Sequence, residues 1–137
     1  MGLVTIDSPH ETWWRWNAVC IDCAPDDFES VVALNRDMLG MHVYSKEPRW
    51  AAMGHSGGGL DILVQAEDRY VRPVWPERVP EPPKMMHFEI QVDDVDAAAA
   101  RAIVLGASEA SPQPADRDPS RLRVMLDPAG HPFCLWS

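Results

Sequence analysis

Apolar and polar residues recur along the chain with two periods, and they do so in the same order twice. In Ala18-Val-Cys-Ile-Asp-Cys23 apolar, often β-branched residues alternate with others, which predicts a strand. Asp26-Asp-Phe-Glu29 has the form of a capping box, and Phe28, Val31, Val32, Met38 and Leu39 then fall at helical spacing. Gly40 follows in the place of a left-handed C-cap. Met41 to Ser45, Arg49 to Met53 and Leu60 to Gln65 read as three short strands, the last two joined through His55-Ser-Gly-Gly-Gly59.

The order then returns. His87-Phe-Glu-Ile-Gln-Val92 alternates strictly, and Asp93-Asp94 supplies a cap and negative charge at a helix N-terminus. Val95, Ala98, Ala99, Ala102 and Ile103 form one buried helical stripe that ends in Leu105-Gly106. Strands are expected at Ala107 to Ala110, Leu122 to Leu126 and Pro132 to Trp136, the last two joined by a type I turn at Asp127-Pro-Ala-Gly130. Each half thus reads strand, helix, Leu-Gly, three strands. A duplicated βαβββ unit is the simplest account, an α+β fold in which each helix covers one face of its half-sheet and the two free faces form a concave groove.

Between the halves runs Arg72-Pro-Val-Trp-Pro-Glu-Arg-Val-Pro-Glu-Pro-Pro-Lys84, where each proline removes a backbone donor and restricts the residue before it. This segment is expected to be an extended connector. The single domain, residues 1–137, then divides into a Trp-rich leader (1–17), a first module (18–72), the connector (73–84) and a second module (85–137).

Composition narrows the partners. With 46 % apolar and 24 % charged residues the chain is an ordinary globule, and its formal charge of −9 argues against a phosphate backbone as ligand, so no nucleic acid is expected. No stretch approaches the ~20 apolar residues of a membrane helix, and Met1 to Trp16 lacks a basic start before an apolar core. No membrane association and a cytoplasmic location are therefore expected.

The chain resembles the vicinal oxygen chelate superfamily, which includes glyoxalase I, extradiol dioxygenases and bleomycin-resistance proteins, and above all its small glyoxalase-like domains. The residues carrying this are Val19-Cys-Ile-Asp-Cys-Ala24, Asn35-Arg-Asp-Met-Leu-Gly40, Val79-Pro-Glu-Pro82, His87-Phe-Glu-Ile-Gln-Val-Asp-Asp94, Leu105-Gly-Ala107 and Asp127-Pro-Ala-Gly-His-Pro-Phe-Cys134. The resemblance implies two βαβββ modules in a half-open barrel, usually within a homodimer. It also implies four positions for a divalent metal, one on the first and one on the last strand of each module. Here they fall on Ala18, on Asp61 or Leu63, on His87 and on Cys134.

Strand parity selects the residues that face the groove. Phe88, Ile90 and Val92 should pack on the helix, leaving His87, Glu89 and Gln91 in the groove; in the first strand Ala18, Cys20 and Asp22 face it. Asn17 would need a bulge to do so. Trp50 and Trp136 lie on strands bordering the groove, where either suits a flat or cationic guest. The expected ligand-binding set is Asp22, Trp50, His87, Glu89, Gln91, Cys134 and Trp136, with His87 and Glu89 as the catalytic candidates.

No metal or other cofactor is expected, because too few oxygen and nitrogen donors remain for an octahedral Mg, Mn or Ni site. If a divalent metal binds, His87 holds it with Asp61 or Cys134; a zinc set of Cys20, His87 and Cys134 is a further alternative. Cys20-Ile-Asp-Cys23 has the C-x-x-C form, but on a strand its thiols point to opposite faces. The terminal Cys134-Leu-Trp-Ser137 reads as buried strand rather than a prenylation box, and Met1-Gly2 lacks a myristoylation context. His131 is expected to be exposed and without a role.

Two functions follow. One is a binding module of the bleomycin-resistance type that captures a small molecule, its acidic and aromatic walls favouring a cationic or polar aromatic guest. The other is a lyase, isomerase or dioxygenase-type enzyme acting on a small carbonyl or aromatic compound with a bound divalent metal.

Overall fold

The structure, a computed structural model, describes residues 16–137. Met1-Gly2 and the leader's Trp13, Trp14 and Arg15 lie outside the described residues. Strand β1 (Ala18–Cys23) leads through a 3-10 turn at Pro25–Asp27 into helix α1 (Phe28–Leu39), followed by β2 (His42–Glu47), β3 (Trp50–Gly54) and β4 (Asp61–Ala66). After the connector come β5 (Phe88–Gln91), helix α2 (Val95–Val104), β6 (Ser108–Glu109), β7 (Leu122–Leu126) and β8 (Pro132–Trp136).

The strands form two four-stranded sheets with matching orders, β1-β4-β3-β2 and β5-β8-β7-β6. In each, the first and last strands of the module pair in parallel and the others pair antiparallel. These are the two βαβββ modules, in sheets that do not close on themselves. Among the described residues no helix is long and apolar enough to cross a membrane.

The helix boundaries follow local chemistry, with one correction. Pro25 opens the 3-10 turn, so α1 begins only at Phe28, and its cap residue Asp27 makes no side-chain capping bond; the expected capping box does not form. Gly40 takes the left-handed conformation (φ 65°), letting its N–H and that of Met41 reach the Arg36 carbonyl. Asp94 caps α2 as expected, its carboxylate accepting from the Ala97 N–H at 3.0 Å.

Both sheets bury their helix-facing residues. Ile21, Cys23, Phe28, Val31, Met53, Ile62 and Val64 make one core, and Val95, Ala99, Ala102, Met125, Phe133 and Leu135 make the other. Leu34 of α1 sits in the second core while Phe88 of β5 packs against both, so the modules share their apolar interior. β1 pairs with β4 without a register shift, so no bulge turns Asn17 into the groove; its carbonyl accepts from Asp61 N–H instead.

Candidate functional site

On β5 the alternation acts as parity requires. Phe88 and Ile90 pack inward with Val95, Met125 and Leu135, which leaves His87, Glu89 and Gln91 on the opposite, concave face. β8 runs parallel beside it with Glu89 opposite Cys134 and Gln91 opposite Trp136. His87 Nε2 lies 2.8 Å from Glu89 Oε1, and the donor atoms of His87, Glu89 and Cys134 all fall within 4.8 Å of one another. Burial pushes the Cys134 thiol up to about 11, and the negative charge of the nearby Glu89 adds to the shift.

The first module presents different chemistry at the matching places. Ala18 pairs with Asp61, Cys20 with Leu63 and Asp22 with Gln65. Glu89 stands two residues past His87 and pairs with Cys134; Cys20 stands two residues past Ala18 and pairs with Leu63. By this register the counterpart of Cys134 is Leu63, while the Asp61 carboxylate accepts from the Tyr44 hydroxyl at 2.5 Å. The four positions are therefore Ala18, Leu63, His87 and Cys134. One methyl and one isobutyl group cannot ligate, and the residues do not fit the four-donor octahedral metal site.

The other expected residues separate. Asp22, Gln65 and Trp50 form one row across β1, β4 and β3, whereas Gln91, Trp136 and Leu122 form another across β5, β8 and β7. Cys20 is exposed and Cys23 is buried, so their thiols lie on opposite faces. The connector is more than a spacer: Trp75 packs against Ala110, Val124 and Cys134, and its indole N–H donates to the Pro112 carbonyl at 2.9 Å. Lys84 Nζ sits 5.6 Å from the centre of the same ring. Part of the second sheet's concave face is thus covered by the chain itself.

A cavity of about 310 Å³ opens between β1 and β5 and reaches α1. Val19, Leu34, Met38 and Phe88 line its apolar part. Of the expected ligand-binding set only Asp22 and His87 border it; Glu89 and Trp136 border a separate depression with Arg121.

Several residues there were not anticipated. His131 is not exposed but partly buried, with Nδ1 2.8 Å from Asp127 Oδ2 and Nε2 3.3 Å from the Tyr70 hydroxyl. Asp127 Oδ1 accepts from the N–H groups of Ala129 and His131, and the Tyr70 hydroxyl donates to the Ala129 carbonyl. Burial, with the Asp127 charge next in size, raises the Tyr70 pKa. Asn35, Tyr70, Asp127 and His131 all line the cavity. The available signals were an amide within the apolar stripe of α1 and a histidine four residues after the turn's aspartate.

Cys23 offers a pH test. Its thiol is fully buried, and burial together with the Asp127 charge raises it from 9.0 to about 11. As pH rises past 9 the unfolded chain loses this proton before the folded protein does, so stability present below 9 is lost toward 11. Thermal unfolding followed from pH 8 to 11 should show this decline, and Cys23→Ala should make it shallower.

Comparison with known proteins agrees with this architecture. The family model described as glyoxalase-like domain matches residues 18–136. The structure is similar to a glyoxalase family protein from Enterococcus faecalis, with a TM-score of 0.63, 16% identity, and coverage of 91% of this chain and 98% of that one. It is similar to a glyoxalase/bleomycin resistance protein/dioxygenase family enzyme from Burkholderia phytofirmans PsJN, at TM-score 0.63, 16% identity and coverage of 88% and 95%. A third similar structure is TnmS3, an antibiotic binding protein from Streptomyces sp. CB03234, at TM-score 0.56, 19% identity and coverage of 93% and 98%. A search of curated proteins finds no match.

Proposed function

Because this chain belongs to the glyoxalase-like domain family, we propose that it is a small-molecule-binding protein of the bleomycin-resistance type whose metal site is degenerate. The observation that carries this reading is the strand register, which puts Ala18 and Leu63 where the first module would supply its two ligands. A site with half its donors replaced by hydrocarbon is suited to holding an organic guest rather than an ion. The fold shared with an antibiotic binding protein supports the same reading. Of the expected set Asp22, Trp50, His87, Glu89, Gln91, Cys134 and Trp136, the clustered His87, Glu89 and Cys134 and the cavity-lining Asp22 are proposed to contact the ligand. A homodimer and a cytoplasmic location belong to the same proposal, on the strength of the family resemblance and the composition.

A library of small aromatic and carbonyl compounds, screened by tryptophan fluorescence with no metal added, tests it. Saturable binding with the compound recovered unchanged is expected. Conversion of a bound compound, or binding that requires a divalent ion, would overturn it.

One observation favours a second reading. His87, Glu89 and Cys134 bring an imidazole, a carboxylate and a thiol within 4.8 Å, a donor set that suits zinc. An enzyme built on it, a lyase, isomerase or dioxygenase acting on a small carbonyl or aromatic compound, would use His87 or Glu89 as the proton-transferring group.

A further inference from the structure

Among the described residues only two polar side chains are buried, Asn35 and Asp127, and the fold uses them differently. Asp127 has both carboxylate oxygens engaged, by the N–H groups of Ala129 and His131 and by the His131 ring. Asn35 is 3 % exposed, and its Nδ2 donates to the Val31 carbonyl one helical turn earlier, at 2.9 Å. No described group donates to its Oδ1. Among the described residues every side-chain nitrogen or oxygen that is sealed from solvent has a partner, so this oxygen opens onto space, and the space Asn35 borders is the cavity.

Its surroundings are mainly apolar. Val19, Ile21, Leu34, Met38 and Phe88 line the same cavity, while Met85 and Met86 stand at its rim, 86 % and 71 % exposed. Cys20, Asp22, Lys84 and His87 also border the cavity, and the Tyr70 proton is already given to the Ala129 carbonyl.

We propose that this inter-sheet cavity binds a compact, neutral, mainly apolar molecule of one or two rings whose single N–H or O–H donates to Asn35 Oδ1, with Met85 and Met86 folding over the ring. Methionine suits that rim because its unbranched, polarizable side chain adapts to a guest's shape. The inference rests on the small-molecule-binding reading and moves the ligand from the concave-face cluster to the space between the sheets. It also exchanges the cationic guest suggested by the net charge for a neutral one, since the open acceptor at Asn35 is an uncharged amide oxygen in a mainly apolar lining.

Indole and benzofuran are matched probes, two rings each with and without an N–H. Titrated into the full chain and followed by NMR, indole should bind roughly tenfold more tightly than benzofuran. It should shift the Asn35 side-chain amide and the methyl groups of Leu34 and Met38. Asn35→Leu should equalise the two affinities; Met86→Lys, at an exposed position that does not bear on folding, should weaken both together. Equal affinities in the unaltered protein, or no shifts at millimolar probe, would overturn the inference. Shifts confined to Glu89, Cys134 and Trp136 would overturn it while leaving the concave face as the binding site. A compound screen with no binder anywhere would instead remove the broader reading.

Discussion

Ala18→His combined with Leu63→Glu should turn a protein with weak metal affinity into a tight zinc binder. The register makes these two positions the counterparts of His87 and Cys134, and both β1 and β5 border the same cavity. The double variant would offer two imidazoles, a carboxylate and a thiol, the donor types zinc takes in tetrahedral sites. Outer-shell partners alone change metal affinity by ~10–100-fold, so restoring two direct ligands should raise it on the order of a hundredfold or more. Neither residue is fully buried, and neither belongs to the two main cores. Calorimetric titration of Zn²⁺ into both proteins measures the difference. Unchanged affinity in the variant would mean that the four positions do not converge and that the register argument fails.

Phe28→Ala should have the largest effect on stability. Phe28 opens α1, is 2 % exposed, and belongs to the core that holds Ile21, Val31, Met53 and Val64. Lys46 Nζ also lies 5.6 Å from its ring centre, adding a cation–π contact. Truncating a buried phenylalanine costs about 3–5 kcal/mol through lost transfer energy and the cavity left behind. Because the helix joins β1 to the rest of the first module, collapse around the gap would move the strand that borders the cavity. Urea denaturation should show the midpoint falling by that equivalent with the slope little changed. A loss below about 1 kcal/mol would place Phe28 outside the core.

The two modules are legible because their patterns are strong. His87 to Val92 alternates without exception, and Val95, Ala99 and Ala102 keep one helical stripe, so strand and helix each have one way to bury their apolar residues. The counterpart of Cys134 was less legible. Asp61 and Leu63 have the same parity, and the glycine-rich loop before β4 does not fix how far that strand slides along β1; only pairing of the backbones does.

The connector was legible as extended but not as a cover. Prolines remove the periodicity that would show which face a segment lies on, so nothing in the sequence indicates that Trp75 packs against Val124 and Cys134. Asn35 and His131 were hidden for the opposite reason. Each sits where an ordinary explanation suffices, an amide in a helix and a histidine after a turn. Their meaning depends on Asp127 and Tyr70, 92 and 61 residues away respectively, reaching the same cavity.

The central claim is that a ligand, not an ion, occupies this fold. Elemental analysis of the full chain purified without chelators tests it most directly. The account predicts divalent metal well below one ion per chain, unaltered by His87→Ala. About one tightly held ion per chain, lost in His87→Ala, would contradict it and establish the His87, Glu89 and Cys134 cluster as a metal centre.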